Sequence, residues 1–171
     1  IELDQLPGYG IDISEDKFML LRNNVIEDLK IYTTQILDTL KEQKQAGKEI
    51  QKFMIILDSV GQLGSRKEIE DALSGKEKAD MTKAKALASY FRIINSDLGY
   101  LNIPMVCTNH TYKTMDLFPQ DKMKGGEGLF YSASTIAFLS KAKLKAGEED
   151  DLDLGQSGLV VTAKMVKNRM A

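Results

Sequence analysis

An aspartate stands directly after the apolar run Phe53–Leu57, at a position suited to metal or phosphate chemistry. A continuous apolar run without alternation is typical of a strand buried on both faces of a parallel sheet. Ligands of open α/β sheets bind at the carboxyl ends of such strands. Asp58, followed by Ser59, therefore either holds Mg²⁺ through water molecules or caps the turn that follows.

A second polar group, Thr108–Asn109–His110, stands at the end of the next apolar run. Polar residues that end successive strands of one sheet meet at the same edge, so we expect this group and Asp58 to share a crevice. His110 is the single histidine of the chain. It is either a sensor of a ligand in that crevice or a partly exposed loop residue.

Two further segments carry groups that can contact phosphate. Residues 112–128 contain more lysines than aspartates and the sequence Gly125-Gly126-Glu127-Gly128. Glycines let backbone amides approach a phosphate closely, and lysines add counter-charge; the alternative is a flexible, solvated loop. Lys167 and Arg169 occupy alternate positions, which lie on one face of a strand, and they either reach a phosphate or decorate a solvated edge.

The elements that would position these residues alternate between short apolar strands and longer amphipathic helices. Apolar residues at helical spacing predict one helix that is capped by Asn24 and ends near Ala46, and a second that begins at Asp80. Residues 61–80 and the stretch from His110 to about Gly126 are expected to be loops. Strands are predicted at Lys17–Leu21, Phe53–Leu57, Met105–Thr108, Thr135–Leu139 and Leu159–Met165.

This order predicts a single α/β domain over residues 1–171, with a mostly parallel sheet and an antiparallel portion late in the chain. With 23 Lys and Arg against 25 Asp and Glu, the net charge is −2, which excludes a polybasic protein. One cysteine excludes an internal disulfide and fits a reducing cytoplasm. One His and one Cys exclude a His/Cys zinc site. No apolar run approaches the roughly 20 residues of a membrane span, so no membrane partner is expected.

The ends of the chain and one missing motif also bear on function. The N-terminal sequence IELDQLPGYGID has no initiator Met, so we expect a piece of a longer protein, truncated at both ends. The phosphate-binding motif GxxxxGK[ST] is absent, since Gly47-Lys48 is followed by Glu49.

The order of the motifs resembles that of the RecA family of recombinases, and within it the bacteriophage branch of UvsX-type strand-exchange proteins. The resemblance runs from roughly residue 8 to the end. It is carried by FMIILDSVGQL, DMTKAKALASYFR, VCTNHT, KGGEGLFYSAS and VVTAKMVKNRMA.

This resemblance implies a RecA-like P-loop NTPase core whose N-terminal P-loop strand is absent from this chain, with ATP and Mg²⁺ as cofactors of the complete protein. Asp58 corresponds to the Walker B acid, which holds Mg²⁺ through water, and Ser59 is its usual neighbour. His110 matches the position that senses the γ-phosphate and signals to the DNA site.

The resemblance also implies contacts with single-stranded DNA and with other subunits. Residues 70–81, with Met81 near their end, resemble the first DNA-binding loop, and residues 112–126 the second. Tyr131 matches an aromatic residue that passes the signal between subunits. The DNA-binding residues implied for the second loop are Lys122, Lys124, Gly125 and Gly126.

Lys167 and Arg169 match cations that reach in trans to the ATP of the neighbouring subunit. The implied function is a fragment of a DNA-dependent ATPase that forms homo-oligomeric filaments on single-stranded DNA and exchanges strands in phage recombination and repair, in the host cytoplasm. A crystal dimer is the other expected oligomer. Alone, the chain is expected not to hydrolyse ATP. The alternatives are a RecA-fold ATPase of another kind, such as a helicase or clock-type ATPase, and a non-catalytic oligomerisation or binding module.

Overall fold

The computed structural model describes residues 3–75, 82–143 and 159–169, which divide into two compact units at the boundary between Ser132 and Ala133. Within these described residues, the first unit contains four α-helices, two 3-10 helices (Leu3–Tyr9 and Val60–Gln62) and four short strands. The described part of the second unit is a two-stranded ribbon. The helices are α1 (Ile26–Gln45), α2 (Arg66–Leu73), α3 (Thr82–Leu101) and α4 (Glu127–Ser132). The strands are β1 (Ile55–Leu57), β2 (Met105–Cys107), β3 (Thr111–Lys113), β4 (Asp121–Met123), β5 (Thr135–Lys143) and β6 (Leu159–Asn168).

The core of the first unit lies between α1 and α3. Both helices carry apolar residues at the spacing that places them on one stripe, as the sequence predicts. The hydroxyls of Thr33 and Tyr90 lie 3.3 Å apart inside this contact. At its edge, Lys41 forms ion pairs with Asp38 and Asp97. The fully buried apolar side chains of this core include Ile26, Leu37, Val60, Leu87, Tyr90 and Ile94.

β1 and β2 form a parallel pair, joined by a crossover that contains α2 and α3. One face of this pair packs against the helical core. The other face is open: Ile56 and Val106, side by side in the register, are 58% and 50% exposed. The expectation that Phe53–Leu57 is buried on both faces is therefore wrong for the described residues. A larger RecA-like sheet stays a prediction.

Three local predictions differ from the structure. Lys17–Leu21 forms no strand, because its residues pair with no neighbouring strand and its apolar side chains are largely exposed. The N-cap of α1 is Val25 rather than Asn24, and it receives no side-chain hydrogen bond. The expected loop 61–80 contains α2, which a capping box begins: the Ser65 hydroxyl accepts from the amide of Glu68, and the Glu68 carboxylate accepts from the amide of Ser65.

The expected loop after His110 also contains regular structure. β3 and β4 pair antiparallel, with Thr111 opposite Met123 and Lys113 opposite Asp121. We call β3, β4 and the residues 114–120 between them the hairpin. No helix in the described part of the chain has the length and apolar composition that a membrane crossing requires.

The second unit pairs β5 with β6 in antiparallel register, with Thr135 opposite Asn168 and a bulge next to Ile136. The late antiparallel portion predicted from the sequence is present, and both strands are longer than expected.

Candidate functional site

Asp58 and Thr108 lie together at the carboxyl edge of the parallel pair. Leu57 is opposite Cys107 in the register, so the residues that follow each strand are neighbours. The Thr108 hydroxyl donates to Oδ1 of Asp58 at 2.5 Å, and the Thr108 amide donates to the carbonyl of Leu57 at 3.0 Å. The structure thus brings together the two polar groups that the sequence places at strand ends.

Ser59 follows Asp58 through a cis peptide bond. Its Oγ is buried and has no hydrogen-bond partner among the described residues, whereas Asp58 is exposed. A buried hydroxyl without a partner is costly unless another group satisfies it. A hydrated cation beside Asp58 would supply such a group, so these two residues suit a Mg²⁺ ion held through water.

His110 packs against the turn that follows Ser59. A Cβ atom placed on Gly61 would lie 2.7 Å from Cδ2 of the His110 ring. The His110 amide donates to the side-chain oxygen of Asn109, and its carbonyl accepts from the amide of Lys124 at 2.9 Å. We call Asp58, Ser59, Thr108 and His110 the strand-end site.

The hairpin begins at the residue after His110 and presents an apolar tip. Leu117 and Phe118 are 94% and 81% exposed, and Met115 is fully exposed. The hairpin is closed by two hydrogen bonds between Thr114 and Gln120. Sequence reasoning missed this tip, although three large apolar residues in a loop that is otherwise polar were a usable signal. Lys122, on β4, and Lys124, just beyond it, have exposed side chains.

Gly125 and Gly126 lie between the hairpin and α4, and both have positive φ angles, 94° and 83°. A Cβ atom on Gly125 would lie 3.0 Å from Cδ1 of Leu87, and one on Gly126 would lie 3.4 Å from Cβ of Ala84. The backbone conformation therefore favours glycine at both positions, and at Gly125 the closeness of Leu87 on α3 adds to this preference. Whether their amides also contact phosphate stays a prediction.

Residues 76–81, the second half of the expected first DNA-binding loop with Met81 at its end, lie outside the described residues. Tyr131 is described; it lies on α4 with an exposed side chain and packs edge-to-face on Phe130, with ring centroids 6.0 Å apart. Among residues 3–75, 82–143 and 159–169, no three His, Cys, Asp or Glu side chains cluster as metal ligands would.

Lys167 and Arg169 lie at the end of β6 in the second unit. Lys167 is opposite Ile136, and the amide of Arg169 donates to the carbonyl of Ser134. Partial desolvation lowers the pKa of the Lys167 ammonium, and the positive charge of Arg169 lowers this pKa further. The positive charge of Arg169 therefore acts on the Lys167 ammonium two positions earlier in the chain.

No family model matches the sequence. Over 145 residues, 84% of the chain, the sequence is 38% identical to a protein of Enterobacteria phage T4 named "Recombination and repair protein". The matched region spans 35% of the length of that relative. The chain is thus similar, over most of its own length, to about one third of a phage recombination and repair protein.

Proposed function

We propose that this chain is part of a phage recombination protein of the RecA type, which binds single-stranded DNA and uses ATP and Mg²⁺ to exchange strands. The similarity to the phage T4 protein supports a role in recombination and repair. The motif order supports the RecA type, since VCTNHT and KGGEGLFYSAS occur at the expected places.

The observation that carries the DNA-binding part is the hairpin. Its tip exposes Met115, Leu117 and Phe118 to solvent, while Lys113 and Lys122 lie exposed on its strands. Bases of a single strand stack on exposed aromatic and apolar side chains, and lysines pair with the phosphates between them. A hairpin of this composition suits a single strand, whose bases are accessible, better than a duplex.

The nucleotide-binding part of the proposal rests on the strand-end site. Asp58 would hold Mg²⁺ through water, and a water molecule of the same hydration shell would form a hydrogen bond with the Ser59 hydroxyl. His110 would contact the terminal phosphate of ATP. Bound Mg²⁺ neutralises charge on the phosphates of ATP. The chain contributes the carboxylate of Asp58 and the imidazole ring of His110. It has no GxxxxGK[ST] motif, which is the segment that binds the phosphates of ATP. We therefore expect the isolated chain not to hydrolyse ATP.

Assembly on DNA is the remaining part of the proposal. Lys167 and Arg169 would reach the nucleotide of a neighbouring copy in a filament, because two adjacent cations suit a polyphosphate. Tyr131 would contact that neighbour through its exposed ring. The test needs a longer protein that contains this chain together with a GxxxxGK[ST] motif. In such a protein, replacement of both cations by Ala should lower the rate of DNA-dependent ATP hydrolysis about 10³-fold or more, as loss of an arginine finger does.

The direct test of the proposed function is binding of a fluorescein-labelled oligo(dT) to the purified chain, followed by fluorescence anisotropy at several salt concentrations. Phe118→Ala should weaken binding by about 5-fold to 150-fold, since one stacked base contributes roughly 1–3 kcal/mol. Lys122→Ala should lower the slope of log K against log salt by about 0.7, because one phosphate contact is lost.

Two variants serve as matched controls. Tyr9→Ala removes an exposed aromatic side chain on the N-terminal side of α1, and Lys48→Ala removes an exposed lysine beyond α1. Both should bind the oligonucleotide like the wild-type chain. If Phe118→Ala and Lys122→Ala also bind like wild type, the hairpin is a connector and the DNA-binding proposal is wrong.

A further inference from the structure

We propose that a groove between α1 and α3 binds an acidic amphipathic helix of a partner protein. The groove has a volume of about 340 Å³ and is lined by Lys30, Ile31, Thr34, Gln35 and Ile93. We call these five residues the helix groove. None of them belongs to the strand-end site or to the hairpin, so the occupant of the groove is independent of the proposed function.

The two helices that form the groove run side by side in the same direction. The hydroxyls of Thr33 and Tyr90 join residues 57 positions apart, and the ion pair of Lys41 with Asp97 joins residues 56 positions apart. The offset between α1 and α3 is therefore nearly constant over two turns. A third helix can lie along such a pair with its apolar side chains in the groove, which is a common mode of peptide recognition.

Two isoleucines supply the apolar surface of the helix groove. Ile31 on α1 is 50% exposed and Ile93 on α3 is 40% exposed. Branched aliphatic side chains in a concave surface suit the leucine or isoleucine side chains of an incoming helix. The five lining residues include no aromatic ring on which a base could stack. The composition of the groove thus favours a peptide over a single strand of nucleic acid.

The carboxylates nearest to this surface already have partners within the chain. Asp38 and Asp97 both pair with Lys41, and Asp28 pairs with Arg66. These three acidic side chains are therefore engaged and do not compensate the cations of the groove.

Three cations at the helix groove have no such partner. Lys30 belongs to the lining; Lys85 lies on the same face of α3 as Ile93, two steps of four residues before it, and Arg92 directly precedes Ile93. Within residues 3–75, 82–143 and 159–169, these three cations form no ion pair. Uncompensated positive charge beside an apolar floor attracts carboxylates that flank apolar side chains. Charge complementarity therefore selects an acidic helix as the occupant.

The test uses a fluorescein-labelled synthetic peptide as the probe. The peptide of about 14 residues carries leucine at positions i, i+3, i+4 and i+7, with glutamate and alanine elsewhere, because this spacing fits an apolar groove. Fluorescence anisotropy with the purified chain should give a dissociation constant on the order of 100 μM or lower. Added salt should raise this constant, since salt screens the charges.

Two control peptides separate shape from charge. One has the same composition, but its leucines are scrambled so that they do not share a face. The other keeps the leucines and has glutamine in place of every glutamate. Each should bind at least about tenfold more weakly than the probe, because helix recognition needs the apolar face and the complementary charge together.

Variants of the chain locate the binding surface. Ile31→Ser and Ile93→Ser remove apolar surface, and Lys30→Glu reverses a charge; each should weaken binding of the probe by about fivefold or more. The matched controls are Ile11→Ser, on an exposed isoleucine before α1, and Lys48→Glu, on an exposed lysine beyond α1. Both controls should bind the probe like the wild-type chain. If an isoleucine variant fails to fold by circular dichroism, Lys30→Glu decides the question with the same readout.

The proposal is overturned if the probe does not bind, if the scrambled peptide binds equally well, or if the groove variants bind like the wild-type chain. It is also wrong if oligo(dT) displaces the probe and Lys30→Glu weakens oligonucleotide binding, since the groove would then be a nucleic-acid site. The oligonucleotide experiment on the hairpin is separate. A chain that binds the probe but no oligo(dT) refutes the proposed function and leaves the assignment of the helix groove intact.

Discussion

Gly128 in α4 lies so close to α3 that a Cβ atom on this glycine would be 2.8 Å from the Cβ of Ala88 and 3.4 Å from its Cα. The obstacle is partly backbone, which cannot rotate away. Gly128→Ala should therefore lower the free energy of unfolding by about 1–3 kcal/mol, as overpacking does. Urea unfolding followed by circular dichroism measures the change.

Gly99→Ala is the matched control for Gly128→Ala. Gly99 lies within α3, has open space around it and carries no positive φ angle. Alanine is favoured over glycine inside a helix, so Gly99→Ala should raise the free energy of unfolding by about 0.5–1 kcal/mol. Equal effects of the two substitutions would contradict the close approach of α4 to α3.

The buried hydroxyl pair of Thr33 and Tyr90 gives a second prediction. Tyr90 is 1% exposed, and replacement by Phe leaves the Thr33 hydroxyl without this partner. Tyr90→Phe should cost about 1 kcal/mol of unfolding free energy. Tyr100→Phe, on an exposed tyrosine of the same helix, should change it by less than about 0.5 kcal/mol. If Tyr90→Phe leaves the free energy of unfolding unchanged, the contact between the two hydroxyls contributes no net stability.

The capping box of α2 gives a third prediction. The Ser65 hydroxyl accepts from the Glu68 amide and lies 2.8 Å from the hydroxyl of Thr82. Ser65→Ala should cost about 1–2 kcal/mol, because a buried cap and a link to α3 are lost together. Ser74→Ala, at the exposed C-terminal end of α2, is the control and should be nearly neutral. Amide exchange in α2 would distinguish local fraying from global unfolding.

Cys107 gives a prediction that depends on pH. Burial raises the pKa of its thiol from the ordinary 9.0 to about 11. Since the thiolate is the reactive form, the native chain at pH 8 should react with Ellman's reagent at least about 100-fold more slowly than the chain in urea. Equal rates in the two states would contradict the burial of the thiol.

The same shift sets the sign of an effect on stability. The folded pKa lies above the unfolded value, so the proton on the Cys107 thiol favours the folded state. This stabilisation is fully present below pH 9.0 and is lost as the pH rises through about 11. The free energy of unfolding, measured as a function of pH, should therefore decline between pH 9.0 and about 11. The decline should be smaller for the Cys107→Ala variant than for the wild-type chain.

The helices and the strand ends could be predicted from the sequence because each has a local signature. The apolar stripe that contains Leu87, Phe91 and Ile94 predicts α3, and these residues are buried. Asp58 and Thr108 could be expected to meet because both follow apolar runs, and parallel pairing brings them together. Lys17–Leu21 carries a similar apolar signature but forms no strand, since a strand also requires a partner that the pattern does not encode.

The hairpin and its junction could not be predicted in the same way. The apolar residues between β3 and β4 do not mark a buried face, since Met115, Leu117 and Phe118 are all exposed. The contact of Asn109 with the carbonyl of Lys124 joins a side chain to a backbone group fifteen residues away, and no spacing rule marks such a bond. The glycines were noted for their freedom to approach phosphate, whereas their closeness to α3 becomes visible only in three dimensions.

The hydrogen bond between Asp58 and Thr108 has a consequence for the order in which the chain folds. The two residues are 50 positions apart, and closing a loop of that length costs about 3.5 kcal/mol of chain entropy beyond a constant. The helices between them can form from local interactions, but their formation does not bring these two residues together. The strand-end site is thus completed in the same slow, non-local step that pairs β1 with β2. A substitution that weakens this pairing should delay the appearance of the site even when α1 and α3 form at their normal rates.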